Sequence, residues 1–170
     1  MSDFSIVRGL GLMLLTVAVM EGVAYVAHRW IMHGFLWSLH RSHHEARKGV
    51  LEINDWFAVM GALPAIALIF MGSQLGMGLW LMWVGIGITV YGMIYFGFHD
   101  VIVHRRVVHR YIPKSAYMKR IVQAHRLHHA VESKHHGLSF GFLVAPPLDK
   151  LMLQLEHSKG RLREPARRSA

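Results

Sequence analysis

The chain has no cysteine, which excludes a disulfide framework, a thiolate metal site and a Cys-ligated iron–sulfur cluster. Histidine and carboxylate are then the only strong metal ligands left. Charge is also scarce: Asp, Glu, Lys and Arg make up 17% of the 170 residues against 53% hydrophobic, and mean hydropathy is +0.30. That is a membrane composition rather than a soluble one. No Lys or Arg lies between residues 57 and 98. The net charge of +9 and the pI near 10.4 therefore do not describe a nucleic-acid surface, which rarely carries such long apolar runs beside its basic residues, and no nucleic-acid partner is expected. At 19.4 kDa a single domain over 1–170 is expected.

Three apolar segments can cross a hydrocarbon core of about 30 Å: residues 6–27, 56–71 and 79–98. The first has no small-residue cleavage site and reads as a retained helix. The second is short and contains Pro64, so it needs tilt or flanking residues to span. Residues 72–78 between the second and third carry no charge and read as a turn. Residues 138–148 are apolar but too short to span, and Pro146-Pro147 would break a helix, so a re-entrant or interfacial segment is expected there. The arginine-rich tail 157–170 reads as solvated or touching lipid. Apart from Arg8, every Lys and Arg lies in 29–56 or beyond residue 99. Positive-inside sorting then puts those residues in the cytoplasm. The expected fold is all-α: a multi-pass helical bundle of three to four spans in the inner cell membrane, with a histidine-rich dimetal site on the cytoplasmic face.

Ten of the 14 histidines form that site's pattern. His28 and His33 are H-x4-H, His40, His43 and His44 are H-x2-H-H, and the order repeats as His99 with His104, then His125, His128 and His129. Ten imidazoles are too many for one ion and about right for two, and imidazole suits Zn, Cu and Fe. On a helix, residues three and four apart share a face, so each triplet projects together and its last two members diverge by about 100°, able to serve two ions. A pair at i, i+5 lies about 140° apart on a regular helix. Each pair therefore needs a terminating or widened turn, or a site embraced from two sides. His104 and His109 are also H-x4-H, so the residues alone allow two frames for the third cluster. His109, His135, His136 and His157 otherwise read as solvated or headgroup-facing.

Among the carboxylates, Glu21, Asp55 and Asp100 are candidates to hold a ligand imidazole by its other N–H; Asp100 is best placed because it adjoins His99. Glu52 is a further candidate, and Glu45 reads as an ordinary partner for arginine. Glu21, in mid-span, has two readings: such an imidazole partner, or a protonated side chain bonded to a neighbouring helix.

These residues resemble bacterial beta-carotene 3-hydroxylases, within the membrane fatty acid hydroxylase and desaturase-like group of histidine-rich di-iron enzymes. The matching stretches are His28-Arg29-Trp30-Ile31-Met32-His33-Gly34, His40-Arg41-Ser42-His43-His44-Glu45 with Arg47-Lys48-Gly49 and Asn54-Asp55, His99-Asp100-x3-His104, Arg110-Tyr111-Ile112-Pro113, Ala124-His125-Arg126-Leu127-His128-His129-Ala130, and Ser139-Phe140-Gly141-Phe142 running to Ala145-Pro146-Pro147. The likeness covers about residues 21–151, and the family pattern selects the 99/104 frame. It implies the ten histidines as ligands of two non-heme irons, with no further catalytic side chain. It also implies dioxygen as oxidant, electrons from reduced ferredoxin, and 3-hydroxylation of beta-ionone rings, taking beta-carotene through beta-cryptoxanthin to zeaxanthin.

A bilayer-dissolved carotene would reach the metals through an apolar slot between helices, for which Trp30, Phe35, Trp37, Tyr95, Phe140 and Phe142 are candidates; for each of them simple core or interfacial packing is the commoner explanation. The basic region from Arg105 to Lys134 suits an acidic ferredoxin, and attraction to anionic lipid accounts for it as well. Two rivals share parts of the pattern. One is a fatty acyl or sterol hydroxylase or desaturase on the same metal core. The other is a non-catalytic membrane metal-binding or transport protein, which would place its ligands near the middle of its spans rather than at their ends.

Overall fold

The computed structural model describes residues 5–46 and 49–158. Arg47 and Lys48 of the family-like stretch, and all of the basic tail beyond Ser158, lie outside the described residues. The described chain is all-helical. In order it forms α1 (Ile6–Val26), a π-helix π1 (Ala27–Phe35), α2 (Trp37–His44), a 3₁₀ turn (Ile53–Asp55), α3 (Trp56–Ser73), α4 (Leu79–Tyr95), a second π-helix π2 (Phe96–Val103), α5 (Ala116–His128) and α6 (Leu148–His157). Three helical stretches are long and apolar enough to cross a membrane: Ile6–Phe35, which kinks at Gly34, Ile53–Ser73 and Leu79–Val103. Pro64 sits inside α3 without ending it, as membrane helices tolerate.

The chain divides into two compact units. The first comprises residues 1–25 and 55–109, hence α1, α3, α4 and π2. Within it α3 and α4 pair through a turn at Gln74–Gly78, where Gly76 (φ 65) and Gly78 (φ 117) take left-handed conformations that favour glycine. Lipid offers no hydrophobic drive for helices to associate, so close backbone approach at small residues has to supply the contact. A methyl group at Gly85 of α4 would lie 2.7 Å from the Ala65 carbonyl of α3, and one at Gly87 would lie 2.6 Å from Thr16 Cβ of α1. The outward faces keep large apolar side chains exposed, among them Leu14, Leu63, Ile66 and Met93. Across α1 and α4, the Tyr91 hydroxyl donates to Glu21 Oε2 at 2.8 Å.

The second unit comprises residues 26–54 and from 110 onward, hence π1, α2, α5 and α6. Here α2 packs on π1 and α5 on α6. Ser115 caps α5 by accepting from the Met118 N–H at 3.2 Å, satisfying one of the helix's unpaired first-turn donors. Between α5 and α6 the chain runs without regular helix through residues 129–147, and Leu138, Phe142 and Ala145 are buried along it. That path carries main-chain oxygens to the histidines.

Candidate metal centre

The i, i+5 histidine pairs lie on, or just past, the two π-helices. In a π-helix the N–H of residue i+5 bonds the carbonyl of residue i, so an imidazole five positions on returns over the first. His104 N–H donates to the His99 carbonyl at 3.0 Å, and Leu36 N–H to the Ile31 carbonyl at 3.0 Å. The rings of His99 and His104 are 4.5 Å apart and those of His28 and His33 are 5.2 Å apart. The widened turn that the spacing calls for is therefore present in both pairs. The triplets lie on α2 and at the end of α5, where three- and four-residue spacing keeps them on one face.

Within the second unit, His28, His33, His40, His44 and His128 converge so closely that their ligand nitrogens all lie within 4.8 Å of one another. All five are buried, His28, His40, His44 and His128 almost completely. Each is oriented by an oxygen on its other side. Nδ1–H donates to the Phe140 carbonyl from His28 (2.9 Å), to the Lys134 carbonyl from His33 (3.2 Å), and to Asn54 Oδ1 from His40 (2.7 Å). The Val131 carbonyl accepts from His44 (3.1 Å) and the Leu138 carbonyl from His128 (2.6 Å).

A carbonyl oxygen only accepts, so these contacts put the proton of each neutral ring on Nδ1 and leave Nε2 as a bare lone pair. Those lone pairs face one another. His28 Nε2 is 3.2 Å from His40 Nε2, His44 Nε2 is 3.3 Å from His40 Nε2, and His33 Nε2 is 3.2 Å from His128 Nε2. Facing lone pairs in a dry interior repel unless a cation sits among them. The donor set therefore fits a divalent metal bound by imidazole alone, with each ligand held by its far N–H.

A smaller cluster in the same unit joins His43, His125 and His129. His125 Nε2 and His129 Nε2 approach to 3.0 Å, the rings of His43 and His129 are 4.6 Å apart, and Glu52 Oε2 accepts from His43 Nδ1 at 3.1 Å. In the first unit His99 and His104 stand together, with Asp100 Oδ2 3.3 Å from His99 Nδ1. Of the sequence-selected carboxylates, Asp100 and Glu52 thus meet an imidazole. Asp55 pairs with Arg106 at 2.8 Å, and Glu45 pairs with Arg41 at 2.7 Å.

The aromatic candidates separate by position. Phe142 stacks on His28 with ring centroids 5.2 Å apart, Phe140 meets His28, His33 and His128 edge-on, and Trp37 lies against His33 and His44. Tyr95 stacks on His99 at 4.5 Å. Trp30 and Phe35 are 57% and 75% exposed. Asn54 and the main-chain oxygens of residues 131–140 escaped the sequence reading. A carbonyl has no side-chain signature, and Asn54 stood out only as part of the family-like Asn54-Asp55 stretch, with no role attached to it.

Burial, and then the charge its histidine neighbours would carry, hold His128 and His129 well below the ordinary histidine value of 6.5. Both are neutral, lone-pair donors at neutral pH. As pH falls through about 6.5 the unfolded chain accepts protons that the folded site refuses, so stability declines on the acid side. Metal binding needs the same neutral rings and weakens in step. We therefore expect the melting temperature of the metal-free protein in detergent to be flat from pH 8 to 7 and to fall progressively below about 6.5. A melting temperature unchanged down to pH 5 would contradict this.

The fold and clusters define an all-helical protein with helices long and apolar enough to cross a membrane and with histidine clusters that fit a metal site. The fatty acid hydroxylase family model matches residues 13–153, and the chain belongs to that family. It is 51% identical over 146 residues to the beta-carotene hydroxylase of Pantoea ananas, covering 85% of this chain and 82% of that one. It is 52% identical over 144 residues to the beta-carotene hydroxylase of Paracoccus sp. (strain PC1), covering 84% and 88%. The chloroplastic beta-carotene hydroxylase 1 of Capsicum annuum is 42% identical over 129 residues, 75% of this chain and 40% of the plant protein. No solved structure matches the chain.

Proposed function

We propose that this protein is a non-heme di-iron monooxygenase that hydroxylates carbon 3 of beta-ionone rings, converting beta-carotene to beta-cryptoxanthin and then to zeaxanthin. The observation that carries the reading is identity of about one half, over more than four-fifths of both chains, with bacterial proteins named beta-carotene hydroxylase. The ten histidines hold the two irons, and the convergence of five Nε2 lone pairs supports that assignment. Dioxygen is the oxidant and reduced ferredoxin the electron donor, so that one oxygen atom enters the ring and the other leaves as water.

When bound, two irons supply the redox change that zinc lacks and that hydroxylation of an unactivated C–H bond requires. The protein's own residues do the rest. The carbonyls of residues 131, 134, 138 and 140 and the Asn54 amide fix the tautomer and direction of five of these imidazoles, those of His28, His33, His40, His44 and His128. Phe140, Phe142 and Trp37 cover the rings and exclude water, leaving an apolar surround suited to a hydrocarbon ring. Tyr95, Trp30 and Phe35 complete the set of side chains offered to a substrate arriving from the bilayer. The protein lies in the inner cell membrane with the metal site toward the cytoplasm, a placement supported by the concentration of Lys and Arg beside the histidine motifs.

In a host that makes beta-carotene, expression of this chain under air is expected to yield the mono- and dihydroxylated pigments, read by chromatography. Unchanged beta-carotene, with the protein inserted and a reductant available, would overturn the substrate assignment. Hydroxylated or desaturated acyl chains in its place would favour the fatty acyl alternative.

A further inference from the structure

The end of π2 holds a device that the histidine pattern does not require. Arg105 takes a left-handed backbone (φ 52), and this reversal returns the Arg106 N–H to the Asp100 carbonyl at 2.9 Å. The closure places the Arg106 guanidinium between two carboxylates of the same unit. Nη1 and Nη2 reach Asp55 Oδ1 and Oδ2 at 2.8 and 2.9 Å, and Nη1 also reaches Asp100 Oδ1 at 3.0 Å. The other oxygen of Asp100, Oδ2, faces His99 Nδ1 at 3.3 Å. The backbone N–H of Arg106 thus holds the Asp100 main chain while its guanidinium holds one oxygen of the Asp100 carboxylate, leaving the second oxygen to the imidazole. Side-chain exposure is only 17% for Arg106, 26% for Asp55 and 11% for Asp100. In so dry a place two carboxylates would repel without the cation. The planar fork of arginine matches both at once, which the point charge of lysine does not.

We propose that Arg106 is a positioning residue for His99: clamped between Asp55 and Asp100, it fixes the carboxylate oxygen that receives the His99 Nδ1 proton and so aims Nε2 at the metal. This rests on the reading of His99 as a ligand. It also ties the start of α3 to the end of π2, so the ligand's direction depends on the junction of two spans.

The test is a Co²⁺ titration of metal-stripped, full-length protein in detergent, followed by visible absorption, with the melting temperature of the metal-free form measured alongside. Arg106→Lys is expected to weaken one metal equivalent by about 10–100-fold and to leave the other unchanged. Asp100→Asn is expected to do the same. Because Arg106 acts through Asp100, the double variant should bind no more weakly than Asp100→Asn alone. If Arg106→Lys fails to insert, Arg106→Gln combined with Asp55→Asn, which removes cation and partner together, carries the same expectation. Unchanged affinities in the variants would overturn the proposal. So would losses that add in the double variant, or that fall equally on both equivalents in step with a lowered melting temperature. A wild-type protein that takes up no Co²⁺ would instead overturn the ligand reading itself, and the two failures are thereby told apart.

Discussion

His40→Ala is expected to abolish hydroxylation and to strip the protein of iron. His40 stands among the converging imidazoles: its Nε2 lies 3.2 Å from that of His28 and 3.3 Å from that of His44, and Asn54 holds its Nδ1 at 2.7 Å. Structural zinc sites with four ligands bind with about 10–16 kcal/mol, or roughly 3 kcal/mol for each ligand. At 1.4 kcal/mol per decade, losing one ligand then weakens binding by more than about a hundredfold. Alanine would also leave a buried gap among polar nitrogens, with Asn54 Oδ1 deprived of its donor. Asn54→Leu, which keeps the imidazole and removes only its orienting oxygen, should cost about 10–100-fold in metal affinity. The order of severity, His40→Ala well beyond Asn54→Leu, is the expected result. Iron per protein, product formation and helicity of the inserted protein are to be measured together. His40→Ala protein that holds wild-type iron and hydroxylates within tenfold of wild type would remove His40 from the ligand set.

Why the histidines were legible and their supports were not follows from where each kind of information lies. Side-chain spacing survives in the sequence: the H-x2-H-H triplets need only the three- and four-residue periodicity of an α-helix, and α2 and α5 supply it. The H-x4-H pairs conflict with that periodicity. The conflict itself pointed to a widened turn, and π1 and π2 are such turns. Apolar length and the absence of Lys and Arg from 57–98 exposed the membrane helices in the same way.

The carbonyls that orient the imidazoles belong to a segment without helical or strand period. Its course depends on left-handed residues at His136 (φ 71) and Ser139 (φ 50), and nothing in those residue types announces it. Arg106 was equally hidden. The basic stretch offers Arg105, Arg106 and Arg110 alike, and only the reversal at Arg105 selects the one that meets Asp55 and Asp100. Glu21 has two readings that its position in mid-span cannot separate, and its bond to the Tyr91 hydroxyl at 2.8 Å is a contact that spacing alone does not announce.

The third histidine cluster gives the other large effect, because sequence alone allowed two frames and they predict opposite outcomes. His99 and His104 follow the i, i+5 bond of π2, their rings 4.5 Å apart, and His99 has a carboxylate at its Nδ1. His109 is engaged differently: its Nε2–H donates to the Val101 carbonyl at 2.7 Å, and among the described residues it is not one of the histidines whose ligand nitrogens converge. We therefore expect His99→Ala and His104→Ala each to abolish hydroxylation and to lower bound iron, whereas His109→Ala loses one hydrogen bond, worth about 0.5–1.5 kcal/mol, and keeps substantial activity. Iron content measured beside product formation, in variants that insert normally, separates loss of a ligand from loss of fold. An active His99→Ala next to an inactive, iron-depleted His109→Ala would reverse the frame and make His104 and His109 the pair.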